Sequence, residues 1–172
     1  MKKILFITAL LSLSLACRKR LDSFLFNPSQ IESYQLDAYQ GELTLDLNGQ
    51  YNVPDSMIHQ LQWDIELEEG NAKMSAIYVG DINSIATDTV ILYCHGNKDH
   101  MDFYWPRQKL YANTGGLGRY GVLMFDYPSF GLSEGKASEA NMYRSTARAI
   151  QWLKDQGLQN EHFVIFGFSL GS

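Results

Sequence analysis

The fold is decided by one stretch near the end of the sequence, Phe163-Val164-Ile165-Phe166-Gly167-Phe168-Ser169-Leu170-Gly171. Its first four residues are aromatic or β-branched, as in strands that are buried on both faces of a parallel sheet. The next five fit the pattern G-x-S-x-G, which places a serine on a sharp, strained turn directly after a strand. The pattern therefore predicts that the Ser169 hydroxyl stands clear of the sheet edge and that a helix follows it.

Two more apolar runs upstream predict neighbouring strands of the same sheet. Residues 90–94 lead into His95-Gly96-Asn97, and residues 120–125 lead into the glycine-rich segment 126–135. Because the carboxyl ends of parallel strands share one edge of a sheet, we expect both segments to lie on the same side as Ser169.

The regions between these runs predict two helices and a hairpin. The first helix is expected to hold Pro106 in its first turn, and the second to run from its N-cap, Ser138, to Gln156. Earlier in the sequence, residues 61–67 and 74–79 form alternating or apolar runs typical of an antiparallel hairpin. Alternation of strand and helix after the hairpin favours a parallel α/β sheet.

In this order the motifs resemble those of the α/β-hydrolase superfamily. The resemblance is to bacterial lipoprotein and eukaryotic membrane-associated members with H-G-N, then F-D-Y-x-x-[FY]-G-x-S-x-G, then G-x-S-x-G. It covers the sequence from about residue 61 onward. It implies an α/β-hydrolase fold, with a mostly parallel sheet and an N-terminal antiparallel hairpin, that is incomplete after the nucleophile turn. It also implies that Ser169 is the nucleophile and that the backbone N–H groups of Leu170 and Asn97 form the oxyanion hole.

The resemblance leaves the catalytic acid and base unassigned. In this superfamily the chain order is serine, then Asp or Glu, then histidine. Every histidine of the sequence precedes Ser169, as does Asp126, which we expect to bond the backbone of its own loop. The histidines are His59, His95, His100 and His162. We therefore expect the 172 residues to be a C-terminally truncated part of the enzyme and to be inactive alone. The alternatives are a plain turn at 95–97 and a purely structural Ser169.

A targeting segment is predicted at the amino end. Two lysines follow Met1, an apolar run reaches residue 16, and Cys17 comes next, which resembles a bacterial lipoprotein signal. We expect a signal peptide at 1–16, a tether and irregular segment at 17–54, and the hydrolase-like part at 55–172. Lipidation of Cys17 would anchor the protein to a membrane of the bacterial cell envelope. The alternative is an ordinary secretory signal and a secreted or periplasmic protein.

Charge, histidine spacing and glycine positions limit the classes of partner and cofactor that we expect. The formal net charge of −5 and the lack of a basic stripe argue against nucleic acid. His95 and His100 with two nearby aspartates do not have the spacing of a zinc site, and no phosphate-binding loop precedes a helix, so neither a metal nor a cofactor is expected. Cys94 is expected to be a buried apolar side chain, and it is the only cysteine besides Cys17.

The sequence therefore predicts an envelope-anchored serine hydrolase. It would act on a small-molecule or acylated substrate by cleaving an ester, thioester or amide through an acyl-enzyme, as an esterase, a thioesterase or a peptidase. The alternative is a non-catalytic, hydrolase-like lipoprotein that binds a partner or has decayed. The sequence does not indicate an oligomeric state.

Overall fold

A five-stranded mixed sheet forms the centre of the computed structural model, which describes residues 24–42 and 51–172. The strands are β1 (Ile58–Leu67), β2 (Gly70–Val79), β3 (Thr89–Cys94), β4 (Tyr120–Phe125) and β5 (Phe163–Gly167). Their order across the sheet is β1-β2-β4-β3-β5. β2 runs antiparallel to β1 and β4, whereas β3 runs parallel to β4 and β5. The predicted hairpin and parallel strands are therefore confirmed.

Two α-helices supply separate cores for the two faces of the sheet. The helices are α1 (Met101–Ala112) and α2 (Glu139–Asp155). Leu123 of β4 shares one buried cluster with Ala149 of α2, while Met124, the next residue of β4, shares the other with Trp105 of α1. A strand that contributes to two cores must be apolar at every position, which explains the continuous apolar runs of β3 and β4.

The hairpin strand β1 instead has one buried and one exposed face. Trp63, Ile65 and Leu67 are buried, whereas the intervening Asp64 and Glu66 are exposed. Successive side chains of a strand point to opposite faces, so a half-buried strand must alternate.

The helix ends agree with the predictions at α2 but not at α1. The Ser138 hydroxyl caps α2 by accepting a hydrogen bond from the Asn141 N–H at 3.2 Å. Pro106 is the sixth residue of α1, so its prediction in the first turn is wrong. The helix begins earlier because the Asp126 carboxylate accepts the Met101 N–H at 2.9 Å and so satisfies a free helix-end donor.

The strand that precedes Ser169 has the predicted direction but not the predicted burial. β5 pairs with β3, yet Val164 and Ile165 are 46% and 55% exposed. Within the described residues β5 is an edge strand, so no second neighbour covers these side chains. The turn after it is a 3₁₀ helix, Ser169–Gly171. No helix in the described part of the chain is long and apolar enough to cross a membrane.

Candidate active site

Ser169 lies on a strained turn directly after β5. Its φ of +54° is in the left-handed region, which costs an L-residue about 1–2 kcal/mol. The flanking glycines are required by contact: a Cβ on Gly171 would lie 2.2 Å from the Cys94 carbonyl oxygen, and one on Gly167 would lie 2.3 Å from the Gly171 oxygen. The G-x-S-x-G spacing therefore reflects close packing of the turn on itself and on β3, with the serine exposed.

The loop after β3 contacts the serine turn because β3 and β5 end at the same level of the sheet. Cys94 is paired with Gly167 in the parallel register, and the Phe168 N–H donates to the Cys94 carbonyl at 3.0 Å. Asn97 and Ser169 both line one cavity of about 290 Å³. The structure thus brings the predicted nucleophile and the predicted oxyanion loop to the same cavity.

The backbone of Asn97 suits the predicted oxyanion role. No residue of the described chain accepts a hydrogen bond from the Asn97 N–H. The side chain is occupied instead: its Oδ1 accepts the Asn27 N–H at 2.9 Å and its Nδ2 donates to the Leu25 carbonyl. Leu170, the other predicted donor, lies in the Ser169–Gly171 turn. Its side chain packs against the buried cluster that the sheet shares with α2.

His95 is buried and fixed on every side. Its Nδ1 lies 2.8 Å from the Gly96 carbonyl oxygen, which can only accept, so this nitrogen carries the hydrogen. Its Nε2 is 3.2 Å from Asp126 Oδ1, but without an aligned hydrogen bond. The ring stacks on Tyr104 with centroids 4.9 Å apart. These contacts hold the loop after β3 in place around His95.

Asp126 joins three segments through its buried carboxylate. Oδ1 accepts the Met101 N–H, and Oδ2 accepts the Tyr34 hydroxyl at 2.6 Å. Burial and the nearby Asp126 charge raise the pKa of Tyr34. The prediction that the Asp126 side chain bonds the backbone of its own loop is wrong. That loop is held instead by Ser133, whose hydroxyl donates to the Asp126 carbonyl oxygen at 2.7 Å.

None of the four histidines lines the cavity that contains Ser169. His95 and His100 are buried, His59 lies 3.1 Å from the Gly80 carbonyl oxygen, and His162 ends a 3₁₀ turn before β5. The described chain therefore places no general base of this type beside the serine.

The walls of the cavity combine aromatic and charged side chains. Phe103, Tyr104 and Phe168 supply apolar surface, and Glu42 and Lys98 supply charge. A neighbouring cavity of about 590 Å³ shares Glu42, Lys98 and Phe103 with it. Burial raises the pKa of Tyr104 to about 12, so its hydroxyl stays protonated at neutral pH.

Cys94 lies directly beneath the site at the end of β3. It is 2% exposed, which confirms the predicted buried thiol, and burial raises its pKa to about 11. A protonated, inaccessible thiol is a poor nucleophile, so Cys94 is not a candidate nucleophile of this site.

Comparison with known proteins identifies the fold. Residues 89–172 match the family model of the alpha/beta hydrolase fold. An esterase of Pyrococcus furiosus superposes with a TM-score of 0.51 at 20% identity, over 86% of this chain and 49% of the esterase. The strand order, the strained serine turn and these matches together establish an α/β-hydrolase fold.

Two curated relatives share part of the sequence. The uncharacterised protein YfhR of Escherichia coli K12 is 34% identical over 90 residues, which are 52% of this chain and 29% of YfhR. The lysophosphatidylserine lipase ABHD12 of Danio rerio is 37% identical over 109 residues, which are 60% of this chain and 26% of that protein. The chain thus spans less than a third of each of these relatives.

The sequence motifs indicated two residues of the candidate site but not the residues that form its wall or support it. Ser169 and Asn97 lie together as their motifs indicated, whereas Cys17 lies outside the described residues. The missed residues are Tyr34, Glu42, Lys98 and Asp102. An available signal was Asp102 beside the aromatic run Phe103-Tyr104-Trp105, because a buried carboxylate needs hydrogen-bond donors from elsewhere.

Proposed function

We propose that this protein is a serine hydrolase that cleaves an ester, thioester or amide through an acyl-enzyme intermediate, with Ser169 as its nucleophile. The observation that carries the proposal is the left-handed Ser169 between two tightly packed glycines, beside the loop of Asn97. Backbone strain of this kind persists only where the surrounding structure enforces it, and it concentrates at functional sites.

In the proposed reaction the Ser169 oxygen attacks the substrate carbonyl carbon while its proton passes to a general base. The carbonyl electron pair moves to oxygen, and the N–H groups of Leu170 and Asn97 stabilise that negative charge. Collapse of this intermediate breaks the bond to the leaving group, which takes the proton from the base. Water then attacks the acyl-enzyme by the same steps and restores the serine.

We propose that the base and its orienting carboxylate come from a part of the complete gene product other than these residues. The proposal rests on the buried, occupied state of His95 and on the positions of the other histidines away from the cavity. A histidine that receives the Ser169 proton must come within about 3 Å of its oxygen.

An acylated substrate suits the apolar part of the cavity. Phe103, Tyr104 and Phe168 offer a surface for an acyl chain, and the zebrafish relative is described as a lysophosphatidylserine lipase. An esterase or thioesterase acting on such a molecule is therefore favoured over a peptidase.

We also propose that a lipid on Cys17 anchors the protein to a membrane of the cell envelope, where acylated substrates are found. Metabolic labelling with a fatty-acid analogue should tag the protein, and Cys17→Ser should release it into the soluble fraction. Mass spectrometry that finds a different mature N-terminus without acyl mass would contradict the anchor.

A non-catalytic role is the second candidate, and one observation favours it: no histidine of the described chain lines the Ser169 cavity. The complete gene separates the two. A carboxylate followed by a histidine, encoded after Ser169, would support the enzyme, and their absence would support a binding protein.

The decisive experiment treats the protein expressed from its complete gene with a fluorophosphonate probe and a short-chain ester. We expect one covalent adduct on Ser169, and loss of both labelling and hydrolysis in Ser169→Ala. The matched control is Ser172→Ala, which removes the next exposed hydroxyl on the same turn and should keep both. Full labelling of the Ser169→Ala variant would refute the assignment.

A further inference from the structure

The segment at 24–42, here called the N-terminal strap, runs across the end of the sheet that carries the candidate site. It forms isolated β-bridges from Pro28 to Asp99 and from Gln30 to Gly131. These bridges join it to the loops after β3 and β4. The strap therefore packs on the loop that contains Asn97 and on the loop after β4.

The amino end of the strap holds the side chain of Asn97. The Asn27 N–H and the Leu25 carbonyl together satisfy the donor and the acceptor of this amide. Besides these two strap groups, no described residue makes a side-chain hydrogen bond with Asn97. The orientation of the loop at Asn97 thus depends on a segment about 70 residues earlier in the sequence.

The middle of the strap is fixed by two buried carboxylates. Tyr34 donates to Asp126, and the N–H groups of Gln35 and Leu36 donate to Asp102 at 2.9 and 2.8 Å. Asp102 is 1% exposed and Asp126 is fully buried. Removing the strap would leave both carboxylates short of partners, which is costly in a buried site.

The carboxyl end of the strap forms part of the cavity wall. The Glu42 N–H donates to the Phe103 carbonyl at 2.8 Å, and the Glu42 carboxylate pairs with Arg107, whose guanidinium lies 4.1 Å from the centre of the Phe168 ring. Glu42 and Ser169 line the same cavity. Both ends of the strap therefore reach the site, one at the oxyanion loop and one at its wall.

We propose that the amino end of the N-terminal strap is a positioning element of the active site and that it acts through the side-chain amide of Asn97. This rests on the proposed function. The two bonds to Leu25 and Asn27 fix the peptide plane of the loop, so that the Asn97 N–H points where negative charge develops on the substrate. A donor of this kind contributes to kcat, because the charge is greater in the transition state than in the bound substrate.

The test uses Asn97→Ala in the protein from its complete gene, since alanine keeps the backbone N–H and removes only the side-chain bonds. We expect at least a tenfold loss in kcat and in the phosphonylation rate, with KM within twofold. The matched control is Asp37→Ala, which also removes two strap bonds, those from Trp105 and Lys109. It should lower the melting temperature by a similar amount while kcat stays within twofold.

A deletion of residues 24–27 removes the same two hydrogen bonds by removing their partners in the strap. It should reproduce the loss in kcat, and adding Asn97→Ala to it should cause no further loss, because both changes remove one interaction. Additive losses would overturn the proposal, as would equal losses of kcat in Asn97→Ala and Asp37→Ala or a kcat within twofold in Asn97→Ala. If the unmodified protein does not react with the probe, the proposed function itself is refuted. If it reacts but the variants give one of these outcomes, only the role of the strap is refuted, so the two failures are distinguishable.

Discussion

The strain at Ser169 predicts that glycine stabilises this position more than alanine does. Both Ser169→Gly and Ser169→Ala remove the hydroxyl, so they differ only in backbone preference. With φ at +54°, alanine retains the left-handed cost of about 1–2 kcal/mol, whereas glycine avoids it. Glycine in turn loses about 0.5–1 kcal/mol through its greater freedom in the unfolded chain.

From the midpoints of these two ranges, the Ser169→Gly variant should have a free energy of unfolding about 0.7 kcal/mol higher than the Ser169→Ala variant. For a domain of this size class that is about 1–3 °C in Tm. Urea and thermal unfolding of the protein from its complete gene, followed by circular dichroism, would measure it. Neither variant should react with a fluorophosphonate.

A matched pair of substitutions at an ordinary helical position should give the opposite order. Gln151 is an exposed residue of α2, where glycine is less stable than alanine by about 1 kcal/mol. If the Ser169→Ala variant is as stable as the Ser169→Gly variant while Gln151 shows its expected order, the turn is not strained and the reasoning from backbone geometry is refuted.

Three further outcomes follow from burial and edge exposure. The free energy of unfolding should fall as pH rises above 9, because the folded state raises the pKa of Cys94 from 9.0 to about 11 and so keeps a proton that the unfolded state releases. The loss through this thiol is about 2–3 kcal/mol by pH 11, and urea midpoints of Cys94→Ala should decline less steeply between pH 9 and 10. Asp126→Ala should cost about 3 kcal/mol or more by leaving buried donors unpaired, whereas Asp64→Ala, at an exposed ion pair, should cost under about 1 kcal/mol. Light scattering by the 172-residue chain should fall with Ile165→Lys on the unpaired edge of β5, because a charge there opposes aggregation. It should stay unchanged with Tyr143→Lys on α2, and equal effects of the two substitutions would argue against aggregation through this edge.

Local patterns in the sequence were enough to predict the sheet and the position of Ser169. Apolar runs marked β3 and β4, alternation marked β1, and the paired glycines around Ser169 marked a turn that only small residues can make. Each of these signals lies within a few residues, because strand burial and turn sterics depend on immediate neighbours. The same locality explains the error at Pro106: the start of α1 is set by Asp126, 25 residues away from Met101 in the sequence.

The sequence by itself therefore determined the fold class, the serine turn and the presence of a polar loop after β3. Only the tertiary structure decided that Asp126 bonds Tyr34 and Met101 and that the N-terminal strap reaches both the loop of Asn97 and the cavity wall. The strap lacks a regular period, since irregular backbone is held by individual hydrogen bonds to partners that lie far away in the sequence, such as Asn97 and Gly131. Such contacts leave no repeating pattern in the sequence, and they become visible only when the folded chain brings their donors and acceptors together.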